Sequence, residues 1–267
     1  MRSGLIVSLL VALVALLPSS AQADTPAADP VVPFSSPPVD FTKLPWTDGE
    51  TLTYRISMAG LDAAQGTFLA KKVTDHWQFD LKLASRGMID EVYPFTGYFW
   101  SILDKSSWRS IEYGEYRFEP SRTIKEQTYI DYTLHHGTRQ EWLLAKTHVF
   151  PIAEDSVDDV GAMLYHIRTG AWKPGDKRTL FVYESNSEKQ GNVECLERVT
   201  QAFGSWPSQP LLRISALPGK GTHHRGHLLL WMTDDARRLP VHADLEFRYG
   251  TFSIDLTKAE KLPPASH

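Results

Sequence analysis

Cysteine is almost missing from this 267-residue chain. The single Cys195 rules out an intrachain disulfide and any paired-thiol redox or zinc motif. It stands inside the strand-like run Asn192-Val193-Glu194-Cys195-Leu196-Glu197, so it reads as a small buried apolar side chain rather than a nucleophile. Positive charge is also short. Against 32 Asp plus Glu stand 28 Lys plus Arg, for a formal charge of −4, and such a balance offers no field to hold a nucleic-acid backbone. No apolar run reaches the roughly 20 residues needed to span a bilayer as a helix. The sequence has no G-x-S-x-G elbow, H-E-x-x-H, phosphate-binding loop, G-x-G-x-x-G or C-x-x-C, which removes the enzyme classes that announce themselves by short motifs. No cofactor is implied.

What is present begins with an address. Arg2 precedes the run Leu5 to Leu17, apolar except for Ser8, then Pro18 and Ala21-Gln22-Ala23. A basic start, a short apolar core and a small-x-small site predict a secretory signal peptide over residues 1–23, cleaved after Ala23, with the mature protein expected in the periplasm. Residues 24–45 hold six prolines and read as an extended tether. A β-rich domain is expected over 46–258 and a short tail over 259–267.

The dominant period within that domain is two. Leu52, Tyr54, Ile56 and Met58 alternate with polar residues, as do Trp77, Phe79, Leu81 and Leu83, the pattern of half-buried strands. Further strand-like runs fall near 95–104, 108–118, 123–133, 139–144, 178–185, 192–203, 211–217, 227–233, 239–247 and 250–257. One stretch departs from this period: Val160, Met163, Leu164 and Ile167 recur at helical spacing between Ser156-Val157-Asp158-Asp159 and Gly170. Ser156 with Asp159 resembles a capping box, Gly170 suits the position beyond a helix end, and the spacing predicts one helix over about 157–169. A dozen strands with a single helix exclude a doubly wound α/β fold. The expectation is all-β, mainly antiparallel: one strongly curved sheet forming an open or closed barrel, which can enclose a cavity.

Eight Trp, 10 Tyr and 12 Phe either fill that core or line the cavity. If they line it, Trp77, Phe79, Trp100 and Trp231 are the candidate ligand contacts. Asp159, Tyr165 and Arg168 share one broad helix face, and a buried Asp or Arg needs a partner, so these three are candidates for pinning the helix to the sheet. Asp234 and Asp235 could serve as an acid/base pair if burial separated their pKa values; alternatively they build a turn, neutralised by Arg237 and Arg238. His223 and His227 have the spacing of zinc ligands on a helix, but Pro218-Gly219 before them and Leu228-Leu229-Leu230 after them mark a hairpin loop, where that spacing does not hold two imidazoles together.

Three segments carry a family resemblance. Pro45-Trp46-x-x-Gly49-Glu50-x-Leu52-x-Tyr54-x-Ile56 with Gly60-Leu61 and Gly66 opens it, and Asp159-x-x-Ala162-x-x-Tyr165-x-x-Arg168 with Pro174-Gly175 continues it. Gly226-x-Leu228-x-Leu230-Trp231-Met232-Thr233-Asp234-Asp235-x-x-Arg238-Leu239-Pro240-Val241 with Gly250 and Leu256 closes it. Together they resemble the bacterial domain-of-unknown-function family 3108 over about residues 45–257. The resemblance implies an exported, β-rich envelope protein and supplies no catalytic residues. The leading expectation is therefore non-enzymatic binding of an apolar or envelope-derived ligand, a lipid or lipid-linked glycan. The alternatives are an envelope glycan or peptide hydrolase using Asp234 and Asp235, and a scaffold for another envelope protein through an exposed strand edge.

Overall fold

The computed structural model describes residues 43–152, 159–184, 187–218, 226–247 and 250–265. Fourteen strands form a single antiparallel sheet in the order β8-β7-β6-β5-β4-β3-β2-β1-β14-β13-β12-β11-β10-β9. The first half comprises β1 (Thr51–Met58), β2 (Leu61–Val73), β3 (His76–Ser85), β4 (Thr96–Asp104), β5 (Ser110–Glu119), β6 (Arg122–Asp131), β7 (His136–Glu141) and β8 (Lys146–Pro151). The second comprises β9 (Lys177–Glu184), β10 (Ser187–Phe203), β11 (Trp206–Pro218), β12 (His227–Thr233), β13 (Pro240–Phe247) and β14 (Gly250–Glu260). Two helices interrupt them, α1 (Gly87–Val92) and α2 (Val160–Thr169). Each half is a meander of adjacent hairpins, and the two are sewn together by the first and last strands, with Ile56 opposite Ile254 and Tyr54 opposite Leu256.

The sheet curls but does not close by a ladder. Its two edges, β8 and β9, meet through side chains: the Tyr183 hydroxyl donates to the Pro151 carbonyl at 2.6 Å, and the Tyr183 and Phe150 rings lie 5.3 Å apart. Two strands escape the sequence pattern. In β2 the positions facing Tyr54 and Leu52 are Gly66 and Phe68, with Ala64 and Ala70 on the same side, and side chains so small give little apolar alternation. β8 is a six-residue edge strand ending in Pro151, where a missing N–H costs no ladder bond.

α2 begins three residues later than its spacing predicts, because Asp159 is itself the cap. Its Oδ1 accepts from the Gly161 and Ala162 amides at 2.7 and 3.1 Å; Ser156 lies outside the described residues. Gly170 ends the helix for a reason other than a left-handed turn. Its φ is −70°, but a Cβ there would meet the Trp172 indole nitrogen at 2.4 Å, and that indole donates to the Ile167 carbonyl at 2.7 Å. α2 lies against β3, β4 and β9, inside the curl.

The helix plugs one end of the barrel. Tyr165 stacks on Phe79 at 3.7 Å, Trp46 packs edge-on to Tyr165 at 5.1 Å and stacks on Trp108 at 5.7 Å, and Trp77, Ala70, Leu103 and Ala162 complete this cluster. Residues at the end of the expected tether belong to the plug, since Leu44 packs against it and the Pro45 carbonyl accepts from Arg168. At the other limit, β14 extends two residues past 258. Among the described residues no helix is long and apolar enough to cross a membrane.

Candidate functional site: a cavity with one charged wall

Above the plug the curled sheet encloses a cavity of about 340 Å³. That volume lies within the roughly 300–1,000 Å³ of ligand pockets. Most of its wall is aliphatic and aromatic: Ile56, Phe68 and Leu83 from β1 to β3, Phe99 from β4, and Leu230 and Leu245 from β12 and β13. Met163 and Leu164 of α2 also face it. The floor is the plug, and the lining continues to Leu217 and Gly226 at the ends of β11 and β12, so the cavity reaches the opposite end of the barrel.

One wall is charged. Glu115 on β5 lies opposite Glu126 on β6, which lies opposite Glu141 on β7, and Arg139 faces Thr128 on one side and His148 on the other. Arg139 bridges Glu126 at 2.6 Å and Glu141 at 3.4 Å, His148 contacts Glu141 at 2.9 Å, and Arg117 lies between Glu119 at 3.0 Å and Glu115 at 3.6 Å. Glu115, Glu126, Thr128 and Arg139 border the cavity. Burial pushes the Glu115 carboxyl above its ordinary value, with Arg117 opposing and Glu126 adding to the rise. Sequence reasoning missed these residues because the alternation in β5 is inverted: Tyr116 and Phe118 lie exposed on the convex face while Arg117 and Glu119 are buried.

The four aromatic candidates separate by face. Phe79 borders the cavity, whereas Trp77 is buried in the plug beside it. Trp100 also borders the cavity, while its ring packs toward the convex face. It stacks on Tyr98 at 5.7 Å, donates to Glu112 at 2.9 Å and covers Gly114, where a Cβ would meet its ring at 2.3 Å. Trp231 is also convex, packed with Phe203 at 5.3 Å and His242 at 5.1 Å.

Asp159 and Arg168 hold the plug in place. Asp159 Oδ2 accepts from the hydroxyls of Ser101 at 2.5 Å and Ser110 at 2.8 Å, so one carboxylate caps the helix and ties it to β4 and β5. Arg168, with a fully buried side chain, donates to both Glu50 oxygens at 2.6 and 3.0 Å. It also donates to the carbonyls of Pro45, Arg237 and Arg238 at 2.8, 3.1 and 3.2 Å. The three segments that carry the family resemblance thus converge on one guanidinium.

Asp234 and Asp235 form the turn before β13. Asp235 accepts from the Thr233 hydroxyl at 2.7 Å, the Arg237 amide at 3.0 Å and the Arg237 guanidinium at 2.5 and 2.8 Å. Burial acts to raise its pKa, and these bonds together hold it below the ordinary value. Asp234 pairs with Arg238 at 2.8 Å and Arg198 at 2.5 Å. Both carboxylates are occupied by their own turn and neither borders the cavity. His227 contacts Ser215 at 2.9 Å and Glu246 at 3.2 Å; His223 lies outside the described residues. Among the described residues no three His, Cys, Asp or Glu are placed to hold a metal ion. Cys195 is buried, and burial raises its thiol to about 11, far from a reactive thiolate.

Against known proteins, a family model described as "Protein of unknown function (DUF3108)" matches residues 53–257. No curated protein matches the chain. Among solved structures, a β-barrel-like protein of domain of unknown function DUF1849 from Brucella abortus is similar at 6% identity and a TM-score of 0.57, covering 82% of this chain and 99% of that one. A DUF1089 family protein from Pseudomonas aeruginosa matches at 10% identity and a TM-score of 0.39, over 69% and 93% of the two chains. The first likeness extends to the fold alone.

Proposed function

Because the chain belongs to the DUF3108 family, which lends it no activity, we propose from its own geometry that it is an exported periplasmic protein binding one amphiphilic ligand of the lipid class. The observation that carries this reading is the cavity: about 340 Å³, apolar on most of its wall, with carboxylates and a guanidinium gathered on β5 to β7. An acyl chain or other apolar body gains by leaving water for the Ile56, Phe68, Leu83 and Phe99 side. A polar head on the same molecule finds donors and acceptors in Thr128, Glu126 and Arg139. Export rests on the basic, apolar and small-residue pattern of residues 1–23. The occupied carboxylates of Asp234 and Asp235 support a turn role over a hydrolytic one.

The test is native mass spectrometry of the protein purified from a bacterial periplasm. A discrete lipid-like mass, lost on denaturation, is expected. Gly66 gives a companion variant: it lies on the cavity wall, and a Cβ there would touch the Leu81, Leu83 and Ile56 side chains only at 3.7 to 3.9 Å. Gly66→Leu should occupy cavity space and remove the adduct while the protein stays folded. A clean apo mass from the unaltered protein, or an adduct indifferent to Gly66→Leu, would overturn the reading.

A further inference from the structure

The two ends of the barrel differ in what they show to solvent. Among the described residues 13 large apolar side chains are exposed, and eight of them cluster at the end opposite the plug, against two, Val73 and Leu134, at the plug end. Six stand on or beside separate connections at that end: Leu61 after the β1–β2 turn, Met88 and Val92 on α1, and Trp142, Leu143 and Leu144 in the β7–β8 turn. Phe118 and Leu217 flank them on the ends of β5 and β11, and Leu217 also lines the cavity.

The β7–β8 turn is built to present its apolar residues. The Trp142 amide donates to Lys125 at 2.9 Å, Leu144 to Glu141 at 3.2 Å and Ala145 to Trp142 at 3.4 Å, and Ala145 takes the left-handed φ of 50° that closes the turn. The Lys125 ammonium lies 5.8 Å from the Trp142 ring, exposed Lys146 follows the turn, and Arg122, three residues before Lys125, pairs with Glu119 at 3.4 Å. From these features we infer that this end of the barrel docks on a phospholipid bilayer, with the Trp142-Leu143-Leu144 turn inserted at its interface and the cavity facing the membrane. The apolar groups are spread over a turn, a helix and strand ends around the end of a cavity, so a fluid apolar surface meets them all at once. Tryptophan flanked by long aliphatic side chains and lysine is the composition that settles at a membrane interface. The inference gives the proposed ligand a route from bilayer to cavity that avoids water, and in that respect it rests on the lipid-class reading.

Cosedimentation of the purified protein with vesicles of phosphatidylethanolamine and phosphatidylglycerol tests it. The unaltered protein should partition onto the vesicles, and Trp142→Ser, Leu143→Ser and Leu144→Ser together should weaken that partitioning by about tenfold or more, since three apolar side chains leave the interface. Met88→Ser with Val92→Ser, on a different connection, should weaken it as well. Val73→Ser with Leu134→Ser, at the plug end, should leave it unchanged. The inference is overturned if the unaltered protein stays in solution, if the triple variant binds as well, or if the plug-end pair weakens binding equally. The two readings fail separately: vesicle binding by a protein that carries no adduct keeps the docking surface and removes the lipid-class ligand, whereas an adduct without vesicle binding does the reverse.

Discussion

Arg168 carries its charge where no water reaches it, and five contacts to Glu50 and three carbonyls replace that water. Removing one member of a buried pair leaves the other uncompensated, at a cost of about 3–5 kcal/mol. Arg168→Leu should therefore lower unfolding free energy by that amount, read from the urea midpoint, and Arg168→Leu combined with Glu50→Leu should recover a large part of it. The sequence made half of this pair legible. Arg168 and Tyr165 could be placed on one helix face from spacing, and a buried arginine demands a partner, but Glu50 lies 118 residues away and no local period connects them. Trp231 was open to misreading for a related reason: an aromatic residue satisfies burial on either face of a curved sheet, and only packing partners such as His242 reveal which.

For the elements, alternation of period two located most strands and could not tell inside from outside. At the end of β5 Tyr116 and Phe118 face solvent while Glu115, Arg117 and Glu119 face inward, the reverse of the usual assignment, because Arg117 pairs with the glutamates on either side of it along the strand. β2 was hidden by alanines and glycine, and β8 by its brevity. α2 was visible throughout, while its first residue depended on the Asp159 side chain. Asp159→Ala should remove the cap and leave the Ser101 and Ser110 hydroxyls without their acceptor, at about 2–4 kcal/mol in total. Asp159→Asn, which keeps an acceptor for the helix amides, should cost less. Thermal melts of the two variants check the ordering.

Across the whole molecule, the all-β class and the curled sheet followed from strand count and the single long helix, since so many strands cannot stay flat and open. The seam between β8 and β9 did not follow, because sequence periodicity carries no information on whether two distant edges pair. Among the described residues the Tyr183 hydroxyl and its ring pair with Phe150 stand at the seam in place of a ladder, so Tyr183→Phe should raise amide hydrogen exchange in β8 and β9 while leaving β1 and β14 protected. A sealed barrel has its girth dictated by strand number and stagger. This one is fastened like a cuff, by the Tyr183 clasp on Pro151 and Phe150 among the described residues, so a strain that widens the bore is expected to open that seam before any of the thirteen strand pairings.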